Sequence, residues 1–146
     1  MLSRDFREFI ASLNENGVKY LVVGGYAVAL HGYPRYTKDL DIWIKRSEDN
    51  AGRIIQALED FGFGSLSLYP SDFLARDQII QLGYPPNRID ILTTLKDLEF
   101  DECYESRVQI EIQGVELFFV DIENLKRNKR ATGRSQDLAD AENLSE

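Results

Sequence analysis

Apolar residues recur at helical spacing in two stretches of the chain. The first set lies three and four positions apart on one helix face: Phe6, Phe9, Ile10 and Leu13. The second set has the same spacing: Ile54, Ile55, Leu58 and Phe61. A serine precedes each stretch and a glycine follows it, as is typical of helix ends: Ser3, Gly17, Ser47 and Gly62. The pattern predicts two amphipathic helices.

Shorter apolar runs predict strands over residues 19–23, 39–45, 78–82, 88–92, 108–112 and 115–120. Turn residues at 83–87 and at Gln113-Gly114 join two pairs of these runs as hairpins. Further helices are expected over 26–30, weakly over 96–104, and from Asp121 to Leu144 with a break at Gly133. Helices alternate with strands, but the hairpins require antiparallel neighbours. The fold class is therefore α/β (α+β), a mixed β-sheet with flanking helices.

Composition and length are those of an ordinary globular protein. The chain has 146 residues, 43% hydrophobic and 29% charged, without a visible repeat or linker, so we expect a single domain over 1–146. The one cysteine, Cys103, has no partner for an internal disulfide. The longest mostly apolar stretch, 20–30, is too short to cross a membrane, and no secretory signal is visible. We therefore expect a cytoplasmic protein.

The charge balance is acidic. Lys and Arg total 17 against 25 Asp and Glu, which gives a formal net charge of -8. Such a surface repels a phosphate backbone and argues against broad, nonspecific nucleic-acid binding. Phosphate chemistry would therefore require a local basic patch or metal ions.

Carboxylates interrupt two of the predicted strands. Asp39 and Asp41 alternate along one strand and therefore share a face with Trp43, which we interpret as core. An Asp-x-Asp pair on a strand can hold two divalent ions for phosphoryl displacement, and hard oxygen ligands favour Mg²⁺ or Mn²⁺. Asp90 lies in a similar apolar run and completes a three-acid cluster if the two strands are neighbours. Any one of these acids alone is more simply interpreted as solvent-exposed.

A glycine pair ends the first strand. Gly24 and Gly25 allow close approach of the backbone and can direct free N–H groups at a phosphate, although such turns also occur for packing alone. The pair belongs to neither a GxGxxG fingerprint nor a P-loop. The glycines and the three acids together favour a phosphate site.

These motifs resemble the polymerase beta-type nucleotidyltransferase superfamily. The first motif runs from Val22 through Gly24-Gly25 and His31-Gly32 to Arg35-Tyr36-Thr37-Lys38-Asp39-Leu40-Asp41. A later segment, KRATGRSQDLAD from Lys129 to Asp140, also matches. The resemblance is strongest to small bacterial members, including the AbiEii-like group of toxin–antitoxin and phage-defence systems. It covers most of the chain, about residues 20–144.

The resemblance implies a fold and a set of roles. It implies a nucleotidyltransferase fold in which Gly24 and Gly25 contact nucleotide phosphates. Asp39 and Asp41 would bind two Mg²⁺ ions, and Asp90 would bind the catalytic metal and help deprotonate the acceptor hydroxyl. Tyr26 stands where many members place a Ser or Thr whose hydroxyl contacts phosphate. This chain therefore departs from the family pattern at that position.

Four further groups have two interpretations each. Arg35 could neutralise a triphosphate or be a solvated loop residue, and Thr37 is better explained as part of the strand entry. His31 fits the C-terminal end of a helix better than the role of a general base. Lys129 and Arg134 belong to a basic cluster and match the later family segment, which favours nucleotide binding. The alternative is an exposed helix face with Arg134 paired to Asp137.

The sequence thus predicts a Mg²⁺-dependent enzyme that transfers a nucleoside monophosphate from a nucleoside triphosphate to an acceptor hydroxyl. The acceptor is left open between a tRNA, a protein and a small molecule, such as an aminoglycoside- or lincosamide-type drug. The alternative is a non-catalytic, antitoxin-like module that binds a partner protein on the same fold. No membrane partner is expected.

Overall fold

The computed structural model describes residues 2–32, 39–64, 67–84 and 87–144, without the side chains of Gln136 and Asn143. The helices are α1 (Arg4–Glu15), α2 (Gly24–Leu30), α3 (Glu48–Phe61), α4 (Phe100–Glu105), α5 (Ile122–Thr132) and α6 (Ser135–Asn143). The strands are β1 (Tyr20–Val23), β2 (Leu40–Ile44), β3 (Ile79–Leu82), β4 (Ile89–Leu92), β5 (Val108–Ile112) and β6 (Val115–Phe119). The predicted strands are confirmed, and the weak helix over 96–104 is shortened to α4. A 3-10 turn at Pro70–Phe73 was not predicted.

The strands form one mixed sheet in the order β3-β4-β2-β1-β6-β5. The two predicted hairpins, β3–β4 and β5–β6, are antiparallel, as is the pair β1–β2. Parallel pairing joins β2 to β4 and β1 to β6. The predicted fold class, a mixed α/β sheet with flanking helices, is confirmed.

Local sequence signals set the helix ends. The hydroxyl of Ser3 accepts a hydrogen bond from the backbone N–H of Phe6, and Ser47 caps α3 by the same contact with Asn50. Asp121 caps α5, which ends at Gly133 in the left-handed conformation. Each cap satisfies a backbone group that the helix leaves unpaired, so these predicted boundaries are confirmed.

The centre of the sheet is apolar on both faces. Leu40, Ile42 and Ile44 of β2 are fully buried, as the alternation along this strand predicts. Trp43, on the opposite face, is also buried and packs edge-on against Phe100 with 5.1 Å between ring centroids. Its interpretation as core is therefore confirmed. Within the described ranges, no helix combines the length and the apolar character needed to cross a membrane.

A buried asparagine fastens α3 to the strands. Asn50 is 3% exposed, and its side-chain oxygen accepts from the backbone N–H of Lys19 at 2.8 Å. Its amide donates to the carbonyls of Lys19 and Lys45 at 3.0 and 2.9 Å. These three bonds join the helix to the ends of β1 and β2, next to each other in the sheet.

We expect Asn50→Ala to lower the free energy of unfolding by about 2–4 kcal/mol, because it removes three buried hydrogen bonds to backbone groups. Chemical denaturation measures this loss. Gln56→Ala, on the exposed face of the same helix, is the control and should change stability by less than about 0.5 kcal/mol. Equal losses in the two variants would contradict the assigned role of Asn50.

Candidate functional site

The predicted carboxylates meet where β1 ends and its neighbours begin. β1 and β2 are antiparallel, so Val23, the last residue of β1, pairs with Asp41 near the start of β2. β4 runs parallel to β2, and its register places Asp90 beside Asp41. Helix α2 begins at Gly24, directly after β1. The topology thus brings the glycine pair and the acid-bearing strands to one edge of the sheet.

Arg88 bridges two of the three acids. Its Nη2 donates to Asp39 Oδ2 at 2.7 Å and to Asp90 Oδ2 at 3.1 Å. Its Nε lies 3.1 Å from Asp90 Oδ1, close enough for an ion pair but without the alignment of a hydrogen bond. Arg88 was not among the site residues predicted from the sequence. Its position two before Asp90, at the start of an alternating strand, was the available signal.

Asp41 is the acid most affected by its surroundings. Burial, followed by the negative charges of Asp90 and Asp39, raises its pKa from 3.8 to about 7. The positive charges of Lys129 and Arg88 oppose this rise and only partly offset it. The folded protein therefore carries a carboxyl group that ionises only with difficulty, next to other carboxylates.

Asp90 is buried, with 12% of its side chain exposed. Burial raises its pKa, while the hydrogen bond and the charge of Arg88 oppose the rise. Among the described residues, its Oδ1 accepts no hydrogen bond. A buried carboxylate oxygen without a hydrogen bond is a costly arrangement and is well suited to a cation.

Gly24 lies against the carboxylate of Asp41. Its φ is +67°, and a Cβ atom at this position would lie 2.1 Å from Asp41 Oδ2, well inside van der Waals contact. The glycine therefore makes room for an acid of the site, a role that the sequence analysis did not foresee. Gly25 is the next residue of α2, and the predicted phosphate contacts of both glycines stay predictions.

Lys129 and Arg134 lie in a network that joins α5 to α6. Lys129 is buried, with its Nζ 3.1 Å from Asp137 and 3.6 Å from Asp140. Arg134 donates to Asp137 at 2.6 Å, and the hydroxyl of Thr132 donates to the same carboxylate at 2.6 Å. The ion pair between Arg134 and Asp137, the alternative considered above, is thus present. The positive charge of Lys129 also acts on Asp41, where it opposes the rise in pKa.

The network holds Asp137 ionised. Burial would raise its pKa, but hydrogen bonds from Thr132, Arg134 and Lys129 outweigh that effect and place the pKa below its ordinary value. The result is a hydrogen-bonded network of charges, from which Lys129 acts electrostatically on Asp41.

The other candidates have simpler roles. His31 ends α2, as predicted, and its Nε2 lies 2.8 Å from the carbonyl oxygen of Val120. Cys103 is buried, and burial raises its pKa to about 11, in keeping with an inert thiol. Arg35 and Thr37 lie outside the described residues.

The three carboxylates fit a hard divalent cation in their chemistry. They supply oxygen ligands, one of which is buried without a hydrogen bond, and the cluster makes ionisation of Asp41 unfavourable. The positions of their side chains, however, are not those of a metal-ligand group. Within the described part of the chain, no group of three or more acid, histidine or cysteine side chains is placed to hold a metal ion. Arg88 holds two of the three acids instead.

A protein-family model matches residues 4–145, almost the whole chain, and is described as a nucleotidyltransferase of unknown function, DUF6036. The chain belongs to this family. The match supports the nucleotidyltransferase resemblance of the two motifs, and the narrower AbiEii-like assignment stays a prediction. No curated protein matches this DUF6036 chain.

Two solved structures share the fold of this DUF6036 chain. One is a candidate nucleotidyltransferase from Thermotoga maritima, with a TM-score of 0.64 and 18% identity over 93% of this chain and 87% of that chain. The other is an antigenic nucleotidyltransferase-like protein from Paracoccidioides brasiliensis, with a TM-score of 0.54 and 18% identity over 98% of this chain and 77% of that chain. At this identity the likeness establishes the fold alone.

We expect Gly24→Ala to destabilise the protein by at least about 1–2 kcal/mol, because alanine is strained at this positive φ and its methyl group displaces the Asp41 carboxylate. Denaturant unfolding measures the loss. Gly52→Ala is the control, since a Cβ there meets nothing within 4 Å. When Gly24→Ala is introduced into the Asp41→Ala variant, it should lower the free energy of unfolding by less than it does in wild type. An unchanged cost would show that contact with Asp41 has no part in it.

Asp41→Asn should stabilise the metal-free protein at neutral and alkaline pH. The raised pKa means that folded Asp41 keeps a proton which the unfolded chain loses near its pKa of 3.8. This contribution to wild-type stability therefore falls as the pH rises from about 4 to about 7, and does not recover above that. Asparagine carries no charge and avoids the loss.

The expected gain is about 1–2 kcal/mol near pH 8, a value reduced for partial solvent screening, and close to zero near pH 4. Denaturation at both pH values in the presence of a chelator measures it. A gain that does not vary with pH would contradict the strained ionisation of Asp41.

Proposed function

We propose that the chain is a Mg²⁺-dependent nucleotidyltransferase that moves a nucleoside monophosphate from a nucleoside triphosphate to an acceptor hydroxyl. The observation that carries the proposal is the meeting of Asp39, Asp41 and Asp90 beside the start of α2. This cluster occurs in a chain that belongs to a nucleotidyltransferase family. Mn²⁺ could replace Mg²⁺, since both accept hard oxygen ligands.

The proposed reaction is an in-line displacement. The acceptor oxygen forms a bond to the α-phosphorus of the triphosphate, the bond between that phosphorus and the bridging oxygen breaks, and pyrophosphate leaves. Bound divalent cations would neutralise the phosphates and favour loss of the acceptor proton. Asp39 and Asp41 would hold the cations, and Asp90 would hold the catalytic one and help to remove the hydroxyl proton. A bound cation would favour ionisation of Asp41, whose pKa is raised by its surroundings in the protein alone.

Phosphate binding is proposed for the glycine pair and for nearby basic residues. Gly24 and Gly25 open α2 next to the acids, where backbone N–H groups begin the helix. Arg35 belongs to the same motif of the resemblance. Arg134 has a side chain that is 76% exposed and can turn from Asp137 towards a triphosphate. Lys129 is buried in its ion pairs, so its contribution would act through the field at Asp41.

On the resemblance of both motifs, we further propose that the chain belongs to the AbiEii-like branch and acts in the cytoplasm, within a toxin–antitoxin system. The acceptor would be a tRNA end, a protein hydroxyl or a small molecule. Incubation with labelled nucleotide and each acceptor class distinguishes these, because the label appears on one of them.

A non-catalytic partner-binding module is the second candidate function. The observation that favours it is the bridge of Arg88 between Asp39 and Asp90, which stabilises the acids without any metal. In that case the carboxylates maintain the fold, and the chain acts by binding another protein.

Calorimetric titration with ATP, GTP, CTP and UTP separates the two functions. We expect one nucleotide to bind only when Mg²⁺ is present, and Asp41→Asn to abolish both this binding and nucleotidyl transfer while the protein stays folded. Asp49→Asn is the matched control, because Asp49 lies on α3 and its side chain is 79% exposed. Undiminished transfer by Asp41→Asn would refute the mechanism. Failure of wild type to bind any of the four nucleotides would favour the partner-binding module, which a pull-down would then test.

A further inference from the structure

Arg88 holds the position of a counter-ion inside the acid cluster. Its guanidinium contacts carboxylate oxygens of both Asp39 and Asp90, at 2.7 and 3.1 Å. It also lowers the pKa of Asp41, the third acid, by its charge. One cation thus serves three carboxylates, which is the electrostatic task that a divalent metal would perform there.

A change of pH cannot remove this counter-ion. An arginine guanidinium keeps its charge throughout the pH range in which proteins are folded. A metal ion that binds these carboxylates must therefore compete with a permanent positive charge.

The backbone of Arg88 is fixed while its side chain has room to move. Its carbonyl oxygen accepts from the backbone N–H of Leu40 at 3.1 Å, which anchors the residue between the starts of β2 and β4. Its side chain is 31% exposed. Among the described residues its Nε makes no hydrogen bond, and its contact with Asp90 Oδ1 is an ion pair without hydrogen-bond alignment. A side chain held in this way can turn outward without disturbing the strands.

We propose that Arg88 is a positioning residue that holds Asp39 and Asp90 in the metal-free protein, and that a divalent cation binds only when its guanidinium leaves them. The proposal rests on the proposed function, since it concerns the same carboxylates. It accounts for the absence of a ready metal-ligand group within the described part of the chain. Under this proposal the site has two states. In the resting state Arg88 contacts the carboxylates, and in the other state Arg88 has left them and a divalent cation can bind.

The test is the affinity for Mn²⁺ measured by calorimetry in wild type and in Arg88→Met, which keeps an unbranched, flexible side chain and removes the charge. We expect Arg88→Met to bind Mn²⁺ about tenfold more tightly or better, since a repelling charge has gone. Its stability without metal should be lower than that of wild type. Arg88→Lys restores the charge and should return the affinity towards the wild-type value. Arg53→Met, which removes an exposed arginine from its pair with Asp49, should leave the affinity unchanged.

A second measurement needs no variant. In wild type, the ¹⁵N signal of the Arg88 Nε should move to the position of a solvated arginine when Mg²⁺ saturates the site. Unchanged or weaker Mn²⁺ binding in Arg88→Met, with the Arg88 signal unmoved in metal-bound wild type, would overturn the proposal and leave the proposed function intact. Failure of both wild type and Arg88→Met to bind Mn²⁺ would overturn both.

Discussion

The parallel register between β2 and β4 is the constraint on which the site depends. It sets Asp41 beside Asp90, although the two residues are far apart in the sequence, and the antiparallel contact with β1 brings Gly24 to the same edge. Because side chains alternate along a strand, a shift of one residue in either pairing would turn an acid to the other face. The buried aliphatic side chains of β2 fix that register, so the apolar core and the polar edge are set together.

The concentration of negative charge at this edge is compensated in two layers. Arg88 contacts the acids directly, while Lys129 acts through space from within its own ion pairs with Asp137 and Asp140. The compensation is incomplete at Asp41, whose pKa is raised to about 7. Incomplete compensation in the free protein is what a cation-binding site requires, since full compensation would leave a metal nothing to gain.

Much of the fold follows from local signals. The spacing of apolar residues and the capping residues Ser3, Ser47 and Asp121 determine where helices begin, and these signals need no knowledge of distant contacts. The bridge from Arg88 to Asp39 and the packing of Gly24 against Asp41 could not be obtained in this way. One depends on the approach of Asp39 across the strand pair, the other on the position of the Asp41 side chain, and both are consequences of tertiary packing.

The packing of Gly24 against Asp41 also limits which acid this position accepts. The carboxylate occupies the space that a Cβ at residue 24 would fill. Glutamate at position 41 carries one more methylene and would drive its carboxylate into the backbone at the start of α2. A side chain can therefore be added at residue 24 only if residue 41 becomes smaller. Residue 41 cannot be lengthened in exchange, because glycine has no side chain to remove, so the start of α2 sets an upper limit on the size of the acid at this position.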